Sequence, residues 1–255
     1  MQNIKNNIYY ILPALNESQN IEKLFKNLNA FYKSKNLNIF VIYVNDGSTD
    51  DTIEKLNKIK SDLSKNISLK IINHEKNLGL GQALKSGFIY CFSQAKDQDI
   101  LITMDTDNSH TIDQSYELFQ KILVENADIA IASRYVKDSK IRGLKNIRIL
   151  LSYLAAKIFK TFFHINNVRD YTCGFRAYRV KKIKKIILNY NNFFSETGFS
   201  ASADILLKLY KFKDKLVFKE IPIDLRYDLK EGKSKMKILK TIYLNIRLIL
   251  IRKIK

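Results

Sequence analysis

The chain has 255 residues, 46% of them hydrophobic, with only 2 Pro and 8 Gly. That composition excludes a disordered or linker-rich protein and leaves room for one large α/β domain or two small ones. Lys and Arg outnumber Asp and Glu by 44 to 25, a formal net charge of +19, which attracts polyanions: nucleic acid, anionic lipid or phosphorylated substrates.

In chain order, Ile8–Leu12 is a short apolar run closed by Pro13 and is read as the first strand. Asn16, with Gln19 three residues on, is a candidate capping box for a helix whose apolar face is Ile21, Leu24, Phe25, Leu28 and Phe31. Ile39–Val44 is a second buried strand running into the turn chemistry of Asn45-Asp46-Gly47-Ser48, and Ile53, Leu56, Ile59 and Leu63 mark a second helix. Leu69–Ile72 is a third strand. The helix after it is opened by Asn77-Leu-Gly79-Leu-Gly81, with Ala83 and Gly87 four apart on one face. A dinucleotide fingerprint is weak there, because Leu84 stands where its third glycine would be. Those small residues are read as letting the helix approach the sheet.

The next strand ends in Asp105-Thr106-Asp107-Asn108-Ser109-His110. If the strand stays extended, Asp105 and Asp107 share a side, and two carboxylates on one side repel unless a cation joins them. Mg²⁺ suits such a pair, taking one or two carboxylates plus substrate phosphates, at the carboxyl end of a sheet where open α/β folds bind ligands. Alone, the doublet is more often a solvated turn. A helix starts near Thr111, with Gln114 placed for a capping box, and Asp128–Ala132 is a further strand. Strand–helix alternation over residues 8–132 predicts a mostly parallel central sheet flanked by helices.

Beyond Tyr135 the pattern changes. Residues 147–163 and 238–254 are apolar but interrupted by Arg148, Lys157, Lys160, Lys240, Arg247, Arg252 and Lys253, as in helices lying on a membrane or on the core. Asp170–Tyr178 is a compact polar and aromatic segment, 200–212 is helical, 216–223 is a strand, and a basic loop spans Arg226 to Lys237. No uncharged apolar run reaches about 20 residues, so no spanning helix is expected, and no secretory leader is expected either. Cys91 and Cys173 lack metal or C-x-x-C spacing and are read as reduced thiols, with one disulfide as the alternative.

Seven segments in order resemble the family 2 glycosyltransferases of the GT-A fold. They are Pro13-Ala-Leu15-Asn16-Glu17, Val44-Asn-Asp46-Gly47-Ser48, Asn77-x-Gly79-x-x-x-Ala83-x-x-x-Gly87, Asp105-Thr106-Asp107, Ser133-Arg134-Tyr135, Asp170-x-Thr172-Cys-Gly174-Phe175-Arg176 and Gly232-Lys-Ser234-Lys235. Within the family the chain is most similar to the polyprenyl-phosphate sugar synthases, such as dolichol-phosphate mannosyltransferase. The resemblance implies a catalytic domain over residues 1–236 and a basic apolar helix over 237–255. It implies that Pro13, Leu15, Glu17, Val44, Asp46, Thr106 and Ser109 surround the nucleotide sugar. Asp105 and Asp107 would hold Mg²⁺ or Mn²⁺ on its diphosphate. Arg134, Arg148, Ser152 and Arg226 would meet an acceptor phosphate. The chain departs from the family at Asn45, where an aspartate is usual, and at Ser109, where glutamine is common in the synthases.

The function expected is inverting sugar transfer to a polyprenyl phosphate, by an enzyme peripheral to the cytoplasmic face of a membrane. A family member acting on a saccharide or cell-surface polymer is the nearer alternative, and Asp170 is then the candidate base. Nucleic-acid binding is remote, because the charge comes with no recognition motif. His110 is a candidate for the metal or diphosphate, while His74 and His164 show no partner. Asp204 matches a family acidic position, with an ion pair as the alternative. The Tyr and Phe residues around 190–199 are read as packing.

Overall fold

The computed structural model describes residues 6–33, 35, 37–212, 216–232 and 238–254. Lys233, Ser234 and Lys235 of the last family segment lie outside the described residues, as does the expected boundary at 236–237. The elements are β1 (Ile8–Ala14), α1 (Ser18–Tyr32), β2 (Ile39–Asn45), α2 (Thr52–Ile59), β3 (Ile67–Asn73), α3 (Leu80–Gln94), β4 (Ile100–Thr103), α4 (Ile112–Val124) and β5 (Ile129–Ser133). They continue with β6 (Lys140–Arg142), α5 (Asn146–Phe162), β7 (Arg176–Arg179), α6 (Val180–Asn189), α7 (Ala201–Lys211), β8 (Phe218–Pro222), β9 (Asp224–Arg226) and α8 (Ile238–Ile254).

The main sheet runs β3-β2-β1-β4-β7-β5-β8. All its pairings are parallel except those of β7, which lies antiparallel between β4 and β5. The expected architecture, a mostly parallel sheet flanked by helices, is therefore the one observed. Alternation along β1 builds the two helical layers. Tyr10 faces one side, where its hydroxyl bonds to Tyr32 of α1 and Ser115 of α4. Ile11 faces the other, against Gly87 of α3, where an added Cβ would sit 2.5 Å from the Ile11 side chain. The close-approach role given to that glycine holds.

Gly81 is tighter still. Its amide donates to the Thr197 carbonyl at 3.0 Å, and a Cβ there would fall 1.7 Å from the Glu196 carbonyl oxygen. The contact seats the 196–199 segment on the start of α3. Gly81→Ala is expected to lower stability by about 3 kcal/mol, the upper range for overpacking, measured as a shift in urea midpoint.

Several local expectations change. β1 continues through Pro13 to Ala14, in register with β2 to Asn45. Asn16 does not cap α1: the helix follows Glu17, without a side-chain cap bond. Asn16 instead takes a left-handed backbone (φ 51°) and ties two loops together, donating its amide to Ser48 Oγ at 2.8 Å and accepting from the Thr49 amide at 2.7 Å. Thr111 does cap α4, accepting from the Gln114 amide, but the Gln114 side chain bonds to Pro222 and Asp224 rather than closing the box. β4 stops at Thr103, so a loop and not extended backbone presents Asp105 and Asp107.

Both cysteines are free and buried. Among the described residues no helix is long and apolar enough to cross a membrane. α8 packs beside α5 and is tied to the body by Arg252, whose Nε donates to Asp204 of α7 at 2.7 Å. Lys208 pairs with the other Asp204 oxygen at 2.8 Å, so Asp204 is engaged as an ion-pair centre.

Candidate active site

The carboxyl ends of β1, β2, β4 and β5 open into a cavity of about 500 Å³, the place where open parallel sheets bind ligands. Its rim is completed by α5, the 197–199 segment, residues 225–230 and α8. Of the residues assigned to the nucleotide sugar, Pro13, Leu15, Glu17, Asp46, Asp105, Thr106 and Asp107 line it. Val44 and Ser109 do not: Val44 is fully buried in the core behind it, and Ser109 stands behind Asp107.

Asp46 is held from three sides. It accepts from the amides of Leu78 and Gly79 at 2.9 and 2.8 Å and lies 2.7 Å from His74 Nδ1. His74 Nε2 is 2.9 Å from Ser86 Oγ. His74 therefore has the partner that the sequence reading did not see. The signal was the parallel register, which sets Asn45 opposite Asn73 and so brings the next residues together. Asn45 holds this turn, donating to Asn73 and accepting from the Ser48 amide.

The acidic loop reverses at Asn108, whose left-handed backbone (φ 60°) turns its side chain to the Asn20 carbonyl at 3.0 Å. Burial raises the Asp105 pKa even though the residue faces the cavity, and the nearby Asp107 charge adds to the rise. Burial also works against the Asp107 carboxylate, but the Lys230 ammonium and Ser109 hydroxyl outweigh it and hold that pKa below the usual range. Among the described residues no group of three or more His, Cys, Asp and Glu side chains gathers to bind a metal. Two hard carboxylates with the rest of the shell left to a diphosphate is nevertheless a donor set that fits Mg²⁺ or Mn²⁺. The ammonium lying on Asp107 marks the place as one that demands a cation.

His110 stacks on Phe175 with centroids 4.5 Å apart, and its Nδ1 accepts from the Asp105 amide at 3.2 Å. The neutral ring then carries its proton on Nε2, which makes it a donor suited to phosphate oxygen and unsuited to metal ligation.

Arg134, Arg148 and Ser152 line the same cavity, with Arg134 bonded to Ser152. The Arg134 fork, expected to grip a phosphate with two donors, is turned onto Asp170. Nε and Nη2 each donate to an Asp170 oxygen at 2.7 Å, Nη1 donates to Ser152 at 2.7 Å, and Nη2 donates again to Thr172 at 2.6 Å. A guanidinium has five N–H donors, and these bonds use all but one, on Nη1. Arg134 thus presents a fixed charge and a single free donor.

Asp170 is fully buried and also accepts the amides of Arg134, Thr172 and Cys173. Burial opposes its charge, but Arg134 and these donors keep its pKa below the ordinary carboxylate range. A base role for Asp170 does not fit this geometry, because its oxygens are committed and it does not line the cavity. Arg226 is likewise turned away, to Asp228 at 2.7 Å. Among the described residues of this loop, Lys230 is the cation that lines the cavity. Phe199, read as packing, is an exposed wall residue instead.

The family model described as Glycosyl transferase family 2 matches residues 9–187. The chain belongs to that family. Dolichol-phosphate mannosyltransferase of Pyrococcus furiosus is 31% identical over 199 residues, 78% of this chain and 51% of the relative. The chain therefore spans about half the length of that family member. Undecaprenyl-phosphate mannosyltransferase of Micrococcus luteus is 26% identical over 226 residues, 89% of this chain and 86% of the relative. Glucosyl-3-phosphoglycerate synthase of Mycobacterium tuberculosis, solved with Mn²⁺, UDP-glucose and phosphoglyceric acid, superposes with a TM-score of 0.68 at 16% identity. That match covers 97% of this chain and 80% of the other. The family 2 chain described here thus has the GT-A fold.

Proposed function

We propose that this family 2 enzyme transfers a sugar, with inversion, from a nucleotide-diphosphate sugar to a polyprenyl phosphate at a membrane surface. One observation carries the reading: a phosphate-directed cluster lies directly under an exposed apolar surface. Arg134, Arg148 and Ser152 line the cavity; Arg148 and Ser152 belong to α5, and Arg134 bonds to it through Ser152. On the outer side, α5 and α8 carry Ile147, Leu150, Tyr153, Leu154, Ile158, Phe162, Tyr243, Ile246 and Leu250. These are half of the exposed large apolar side chains among the described residues. Concentrated exposure of this kind marks an interaction surface. Lys157 over Tyr153 and Lys253 over Phe162 add the cationic fringe of an interfacial helix. Relatives named for dolichol- and undecaprenyl-phosphate acceptors support the same acceptor class.

The residues suggest how the reaction is assisted. Asp105 and Asp107 would hold Mg²⁺ or Mn²⁺, which would supply positive charge against the departing diphosphate. A phosphate acceptor is already anionic near pH 7, so the site has only to align one of its oxygens with the anomeric carbon. That oxygen forms the new bond as the bond to the diphosphate breaks on the opposite face. Arg148, Ser152 and the remaining Nη1 donor of Arg134 supply the alignment, and the buried Asp170 keeps Arg134 in place.

The deciding experiment supplies UDP- or GDP-sugars with Mn²⁺ and a short-chain polyprenyl phosphate. Sugar on the lipid phosphate is expected. Transfer only to water or a saccharide would reject the proposed acceptor and favour a family member acting on saccharide or polymer. Co-sedimentation separately checks the surface. Binding to anionic vesicles is expected to exceed binding to neutral ones and to weaken in salt, and equal absence from both would remove the membrane reading.

A further inference from the structure

Lys230 has no part in the reaction as drawn above, yet its position is built with care. Its segment is clipped at both ends. The Arg226 amide donates to the Ser109 carbonyl at 2.9 Å. At the other end the Glu231 amide donates to Asn20 Oδ1 at 3.3 Å, while Asn20 Nδ2 donates back to the Glu231 carbonyl at 3.2 Å. Asn20 also accepts Asn108 of the acidic loop through its own carbonyl. One residue thus fixes the loop that carries Asp107 and the segment that carries Lys230.

The oxygens of Asp107 are both occupied. Oδ1 accepts the Ser109 amide at 3.1 Å and the Ser109 hydroxyl at 2.5 Å, and Oδ2 accepts the Lys230 ammonium. An ammonium and a divalent ion cannot share one carboxylate oxygen at contact distance without strong repulsion. Of the two partners, lysine is the displaceable one: its stem is flexible and its head a compact charge, whereas Ser109 bonds to Asp107 through backbone.

We propose that Lys230 is an exchangeable cation of the donor site. It neutralises Asp107 in the donor-free chain, gives up Oδ2 to the metal, and carries its ammonium to the oxygens of the donor diphosphate. The inference rests on reading Asp105 and Asp107 as the metal pair. It gives the donor diphosphate a cation from the same loop as Arg226, which was assigned to the acceptor phosphate and is paired with Asp228 instead, and it gives the site an order: the lysine leaves as the metal arrives and returns to the nucleotide.

Calorimetry with Mn²⁺ alone, and then with UDP at saturating Mn²⁺, tests this on the full chain. Lys230→Met is expected to bind Mn²⁺ alone about tenfold more tightly and UDP–Mn²⁺ about tenfold more weakly, the scale of one charged hydrogen bond. Lys230→Arg, keeping the charge, is expected to stay near the unaltered chain in both. In that unaltered chain, amine-reactive labelling read by mass spectrometry should be slow at Lys230 alone, faster with Mn²⁺, and slow again with Mn²⁺ and UDP. Labelling indifferent to both additions, or a Lys230→Met chain whose Mn²⁺ affinity is unchanged or lower, overturns the inference. No Mn²⁺ binding by any of the chains, with or without UDP, overturns the metal reading along with it. Normal UDP–Mn²⁺ binding without the crossed pattern overturns the lysine's role only.

Discussion

Asp107→Asn is expected to lower kcat/KM for sugar transfer by roughly a thousandfold, the scale of removing a principal electrostatic contact at a transition state. The amide keeps the shape and can still accept from Ser109, as Asp107 Oδ1 does now, so the loop is retained. What is lost is one unit of negative charge at the position proposed for the cation and diphosphate. Asp105→Asn should act in the same direction, because the two carboxylates feel one another's charge. Steady-state rates across a Mn²⁺ titration check both. Undiminished rates at every concentration would place the cation elsewhere.

Asp170→Asn should have a large effect on stability, a loss of about 3 kcal/mol, because it leaves the half-buried Arg134 guanidinium without its counter-charge. Arg134 would lose its counter-charge and keep an acceptor at position 170 for at most one of Nε and Nη2, and transfer would fall as its charge shifted from the proposed acceptor position. The double variant with Arg134→Met should recover part of the stability, since an unpaired charge is no longer buried. The pH dependence has a definite sign. The folded-state pKa of Asp170 is depressed, so the pair's contribution is fully present above the unfolded carboxylate pKa, about 4. It fades as pH falls through the lower folded value. Urea titrations between pH 5 and pH 2 should show this slope in the unaltered chain and a shallower one in Asp170→Asn.

The nucleotide half of the molecule was legible because its parallel strands are apolar runs and its loops are family segments. Asp46, Asp105 and Asp107 stand at strand ends, where sequence alone directs attention. The second half was harder for physical reasons. β7 is the strand Arg-Ala-Tyr-Arg, whose arginines hide a buried strand. Arg176 is fully buried and donates to the carbonyls of Ser202 and Tyr171 at 2.6 and 2.9 Å, partners brought close only by folding. Asp170 and Arg226 were matched by position, but a carboxylate's role depends on which cation reaches it first. Arg134 took Asp170, and Asp228 took Arg226. Lys230 was hidden in a run of basic residues, and only the fold shows that it turns inward to Asp107.

The single reversed strand has a consequence for synthesis. β4 and β5 do not pair with each other: β7 lies between them, with one on each of its edges. A nascent chain that has emerged as far as residue 175 therefore holds a four-stranded sheet, β3-β2-β1-β4, with a bare β4 edge, and a β5 segment with no sheet partner, apolar margins of the kind that recruit other polypeptides. Arrival of four residues, Arg176–Arg179, covers the β4 edge and joins β5 to the sheet in one step, leaving the outer edge of β5 for β8, so a ribosome stalled just ahead of them leaves the protein at its most adhesive.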